Sequence, residues 1–139
     1  MKEYAFSGIV AIISSFIVSL FGNPQTITTL FVLISLMVMD YATGVIVAGV
    51  FKNSAKSCTG TLSSDAGLKG LAKKGVIIFV VIAAFLLDYL ANTSVIGMAT
   101  MLMFCVNEII SLIENAGLMG IPIPSKLKKA IEVLTEKNE

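Results

Sequence analysis

Apolar residues run almost without a break from Phe6 to Phe51 and again from Gly75 to Ile113, with brief polar punctuation inside each run. From Tyr4 to Met39 no residue is charged, a stretch longer than the roughly 20 residues a helix needs to cross a bilayer. The first run is punctuated by "GNPQT" (22–26), where Pro24 lacks an amide donor and biases Asn23 away from helical dihedrals. The second is punctuated by "ANTS" (91–94). The pattern predicts four spans, at about residues 6–22, 27–51, 75–91 and 94–113, paired by short turns into two hairpins. The first is expected to be retained rather than cleaved as a leader. Its single lysine is offset by Glu3, its apolar run is long, and no A-x-A site follows.

The hairpins are joined by "KNSAKSCTGTLSSDAGLKGLAKK", residues 52–74. Ser63 or Ser64 is placed to cap a helix there, with Asp65 in its positive first turn and lysines toward its other end. Gly67 and Gly70 each weaken such a helix by roughly 1 kcal/mol relative to alanine, so a short, partly ordered interfacial helix is expected. After the fourth span, Gly120 can end the helix, Pro122 and Pro124 prevent its continuation, and Ser125 can cap another. Leu127, Ala130, Ile131 and Leu134 then share one face among lysines, which makes the tail, 120–139, an amphipathic surface helix. The fold class expected is all-α integral membrane, a single membrane domain of about four transmembrane helices plus short amphipathic interfacial helices.

Composition agrees with that class: 56% of residues are hydrophobic and 14% charged, against roughly 25% charged in soluble domains. Histidine, arginine and tryptophan are absent, removing the commonest general base and the usual anion fork, so enzyme chemistry is not expected. Cys58 and Cys105 lack metal-ligand spacing and read as structural or free thiols; no metal or cofactor is implied. Charge sharpens the topology. Five of the ten lysines, Lys52, Lys56, Lys69, Lys73 and Lys74, lie in the middle segment, Lys126, Lys128 and Lys129 follow the last span, Lys2 precedes the first, and the two short turns hold none. The positive-inside rule then puts both termini and residues 52–74 in the cytoplasm, with these lysines orienting the chain and touching anionic lipid rather than nucleic acid.

Several polar groups remain inside the apolar runs. On a helical wheel Asn107, Glu108, Ser111, Glu114 and Asn115 fit an arc of about 120°, and Thr100 and Gly97 extend it backward. Glu114 and Asn115 can equally mark the cytoplasmic end of the helix. Glu108 lies about two turns deeper, where a carboxylate facing lipid costs at least a few kcal/mol, and Asp40 poses the same problem in the second span. Asp88 is milder, being close to Asn92 and the outer turn. As bounded here, the spans contain no lysine or arginine to pair with these carboxylates. They must therefore be protonated and hydrogen-bonded, satisfied within the subunit, or turned to water between subunits. Gly44 and Ala48 add a small-xxx-small pair beside Asp40 and Thr43 that permits close helix contact.

Taken together, "MDYATGVIVAG" around Asp40, "LSSDAGLKGLAKKG" before the third span, "LLDYLA" around Asp88 and "NEIISLIENAGLMGIPIP" closing the fourth resemble the toxin-secretion and phage-lysis holins of Gram-positive bacteria and their phages. The likeness runs from about Leu36 to Leu134. It implies a homo-oligomer of the bacterial cytoplasmic membrane that permeabilises it so that a muralytic enzyme or a large toxin can leave. The family's motif residues fall on Asp40, Thr43, Gly44, Ser64, Gly67, Gly70, Lys74, Asp88, Asn107, Glu108, Ser111, Glu114, Asn115, Gly120 and Pro124. Two other readings compete with it. A small four-span proton-coupled transporter or ion channel could use Glu108 or Asp40, although aromatic residues to hold a cation are missing beside them. A scaffold recruiting partners through residues 52–74 and the tail would leave the membrane tight.

Overall fold

The computed structural model describes residues 2–136, which form five α-helices and, among the described residues, no strand. Helix α1 is Lys2–Phe21 and α2 is Pro24–Ile46, the latter closed by a π-helical turn, Val47–Phe51. Helix α3 is Ser64–Ala91, α4 is Ile96–Leu118 and α5 is Ser125–Glu136. The final residues of the predicted tail, 137–139, lie outside the described part.

Local chemistry sets most of these boundaries. Asn23 is extended (φ −74°, ψ 126°), and its side chain accepts from the Gln25 amide at 2.9 Å, with Pro24 at the first helical position, where a missing donor costs nothing. The π-helical turn ends at Lys52 in the left-handed region (φ 52°), which turns the chain out of α2. Asn92 does the same after α3 (φ 52°) and Gly120 after α4 (φ 80°), the last being a conformation natural to glycine. The first turn of α5 then hangs on the Pro124 carbonyl, which accepts from Leu127 and Lys128.

Two features depart from the sequence expectation. The interfacial helix expected within 52–74 is not a separate element. Ser63 caps it, its side chain accepting from the Ala66 amide, but the helix continues unbroken through the third apolar run to Ala91. From Lys74 onward a single face, Lys74, Ile78, Val81, Phe85 and Asp88, carries the helix into the core, and the capped start runs into it without a break despite Gly67 and Gly70. Secondly, three helices are long and apolar enough to cross a membrane, Pro24–Phe51, Ser64–Ala91 and Ile96–Leu118, whereas α1 contributes a shorter apolar stretch, Phe6–Ser19.

Helices α2, α3 and α4 pack together, α2 and α3 each chiefly against α4. Their core is Leu33 and Met37 from α2, Val81 and Phe85 from α3, and Met101 and Cys105 from α4. Leu33 and Met101 are fully buried. Asp40 meets Asn115 at one end of the bundle and Phe85 meets Gly97 at the other, so α2 and α4 run parallel and α3 runs antiparallel to both, with α4 between the other two. Helix α1 barely joins this core. Its described side chains from Phe6 to Ser19 are exposed, and Phe21 makes the connection, its ring stacked at a tilt against Phe85 with centroids 4.8 Å apart.

Candidate functional site

The polar groups that the sequence leaves stranded in apolar helices are gathered at two levels of the bundle. At the level near residues 52–63, Lys74 of α3 projects between α2 and α4. Its ammonium donates to Asp40 Oδ2 at 2.9 Å and to Glu108 Oε2 at 2.5 Å. Asp40 and Glu108 are 5% and 6% exposed, so both carboxylates lie in the interior and Lys74 is their shared counter-ion. With all three ionised the triad keeps one net negative charge. Asn115, also buried, disperses it: its Nδ2 donates to Asp40 Oδ1 at 3.0 Å and reaches the Asp40 carbonyl and Thr43 Oγ1. The Thr43 hydroxyl in turn donates to the backbone carbonyls of Met39 and Asp40.

Pairing matters here because an isolated charge away from water costs several kcal/mol, and even a good pair only roughly offsets that cost. The triad is therefore poor evidence for extra stability. It is strong evidence for register, since one lysine meets both carboxylates only when three helices are aligned. Among the described residues no buried polar side-chain atom lacks a partner.

Above the triad opens a cleft of about 640 Å³ between α2, the start of α3 and the connecting segment. Asp40, Gly44, Ala48, Lys74, Glu108 and Ser111 line it, as do the exposed Lys56, Lys69 and Lys73. Lys69 also pairs with Asp65 at 2.8 Å along the surface of α3, an exposed contact worth little. Asn53 ties the connecting segment to α4, its Nδ2 donating to the Leu118 carbonyl at the end of that helix.

At the other level Asp88 ties α3 to α4. Its Oδ1 accepts from Thr93 Oγ1 at 2.5 Å, from Val95 N at 3.2 Å and from Ile96 N at 3.1 Å, while Oδ2 accepts from Gly97 N at 2.7 Å. A carboxylate from the preceding helix thus caps α4, satisfying amides that have no intrahelical acceptor and placing negative charge at the positive helix end. A second cleft, of about 600 Å³, lies at this level beside Asn23, Thr26 and Asn92.

The predicted polar arc on α4 is divided by the packing. Glu108 and Asn115 are buried and Ser111 half-buried, toward the other helices, whereas Asn107 and Glu114 are exposed. The arc straddles the edge of the buried face, whose centre runs through Gly97, Met101, Cys105, Glu108 and Asn115. Thr100 is half-buried and donates its hydroxyl to the Ile96 carbonyl at 2.7 Å. Lys52, Lys126, Lys128 and Lys129 are exposed. Lys74 departs from the sequence reading, which grouped it with the headgroup lysines and found no cation for Asp40 and Glu108. It was missed because the third span was begun at Gly75. The signal was present, since Lys74 shares the helical face of Val81, Phe85 and Asp88.

A family model described as the bacteriophage holin family matches residues 9–136. An uncharacterised protein of Halalkalibacterium halodurans is 41% identical over 110 residues, covering 74% of this chain and 75% of that one. One from Clostridium perfringens is 39% identical over 111 residues, covering 76% and 77%. A protein of Bacillus phage phi105 described as a probable holin is 30% identical over 121 residues, covering 86% and 82%. No solved structure matches the chain.

Proposed function

The chain belongs to the bacteriophage holin family, whose members are membrane proteins without catalytic chemistry, and on that footing we propose that it oligomerises in the bacterial cytoplasmic membrane and permeabilises it to release an endolysin or a large toxin. The observation that carries this reading is the polar cluster of Asp40, Lys74, Glu108 and Asn115 enclosed by three predominantly apolar helices. Such a cluster can be stored shut while the outer surface is greasy, and separation of the helices presents it to water. The proposed orientation has the connecting segment and the C-terminal tail in the cytoplasm, as the lysines favour, and the N-terminus with them through α1 as a fourth, looser crossing. Lipid and further copies of the chain are the direct partners, with the released enzyme or toxin as indirect cargo. Movement of a unit charge through the whole membrane field is worth about 2.3 kcal/mol per 100 mV, so collapse of the potential biases any rearrangement that moves the charged triad along the field.

The test is induced expression beside a cytoplasmic muralytic enzyme that has no secretion signal, with membrane potential and enzyme release followed together. Abrupt depolarisation accompanied by release is expected, and Asp40→Asn and Glu108→Gln should each shift its timing. Saturable transport by cells that stay intact would replace this reading with the transporter, and a tight membrane despite abundant inserted protein would remove both.

A further inference from the structure

Asn107 is the middle residue of the 23-residue α4, so it lies about 16 Å from either end at 1.5 Å per residue. That depth is the hydrophobic middle of a span. Its amide is exposed on the outside of the bundle, and its side chain has no hydrogen-bond partner among the described residues. The carboxylates of Asp40 and Glu108 and the amide of Asn115, by contrast, are all paired inside. An amide facing lipid at mid-membrane is poorly solvated and gains from any interhelical hydrogen bond.

The residues around it form a seam. Ile96, Thr100, Met103, Asn107, Ile110, Glu114 and Gly117 are spaced alternately four and three apart, the heptad rhythm of a helix–helix contact, and none of them is buried within the subunit. Subunits inserted the same way around present parallel α4 helices, so in a two-fold pair equal numbers meet. Asn107 is then opposite Asn107, and an amide carries both donors and an acceptor, making it its own complement. Thr100 and Glu114, one heptad away on either side, fall in the same line.

We propose that the outward seam of α4, centred on Asn107, is the contact through which two copies of this chain pair in the membrane. The pairing rests on the membrane-spanning reading above but not on the release of any cargo. It leaves the ion triad untouched, because the triad and the seam are on different faces of α4.

Disulfide cross-linking in membrane vesicles tests it. In a Cys58→Ser background that keeps the buried Cys105, single cysteines are introduced at Thr100 and Glu114 on the seam and at Leu102 and Ile109, which are exposed elsewhere on α4. Copper-catalysed oxidation should give dimers from the first two and background from the second two. Adding Asn107→Leu should lower the seam dimers by about tenfold, as expected for losing one interhelical amide contact, while Asn107→Gln should retain them. Equal cross-linking at all four positions, a preference for Leu102 and Ile109, or no dimer at any position would overturn the proposal. The two readings fail separately. Seam dimers in a membrane that stays tight would remove the release function and leave the interface, whereas release without seam dimers would do the reverse.

Discussion

Removing Lys74 strands two buried carboxylates at once, because its ammonium serves both Asp40 and Glu108. Breaking a buried ion pair by deleting one partner costs roughly 3–5 kcal/mol, whereas replacing every charged member by neutral groups of similar size can be nearly neutral. Lys74→Met should therefore lower the unfolding midpoint in mixed micelles sharply. The triple variant Asp40→Asn, Lys74→Met, Glu108→Gln should recover most of the loss, as followed by helical circular dichroism across a denaturing-detergent titration. At this scale the sequence was only half legible. Asp40 and Glu108 declared themselves by standing in apolar surroundings, but Lys74 lies at the edge of its apolar run, where a lysine ordinarily reaches for headgroups. Depth along one helix does not reveal what a long side chain can reach across two others.

The hairpin of α3 and α4 is fixed at its turn by two neighbouring features. Asp88 caps α4, and Gly97, the second residue of that helix, lies where a Cβ would come within 2.7 Å of the Phe85 ring. Gly97→Ala should push Phe85 off its packing against Phe21 and the core at a cost of about 1–3 kcal/mol, the usual range for overfilling a packed site. Asp88→Ala should also lower the midpoint, by leaving the Val95, Ile96 and Gly97 amides without their acceptor. The same titration checks both. Sequence signals located the turns themselves, because Pro24, Asn92 and Gly120 act locally through backbone chemistry. What they could not supply was the length of α3, since propensity at Gly67 and Gly70 argues for fraying, yet the helix runs unbroken from the Ser63 cap into the packed face beyond Lys74. The division of the α4 arc was hidden for a related reason: a polar arc gives the direction of a face, but the neighbours choose where its edge falls.

For the whole molecule, the uneven placement of lysines along the chain leads to the proposed orientation, and the two cysteines can report on it. Cys58 is exposed in the connecting segment and Cys105 is buried in the core. In that orientation a membrane-impermeant maleimide should leave intact cells unlabelled and modify inside-out vesicles at Cys58 alone, with loss of the signal in Cys58→Ser. Labelling of intact cells would invert the topology. The all-helical class followed directly from hydropathy, which reports on long stretches of chain, while the near-isolation of α1 did not, because its composition equals that of its neighbours and only their mutual packing sets it apart. The triad also bears on how the protein is made. As the chain emerges from the ribosome, α2 enters the bilayer with Asp40 alone, α3 then delivers its cation, and α4 arrives last with Glu108 and Asn115. A nascent chain halted after α2 carries a lone carboxylate in lipid, and α4 inserted out of turn carries another. The charges thus act as a checkpoint on biogenesis: Asp40 is penalised in lipid until α3 brings Lys74 against it, and Glu108 until α4 is seated in the register that shares that cation.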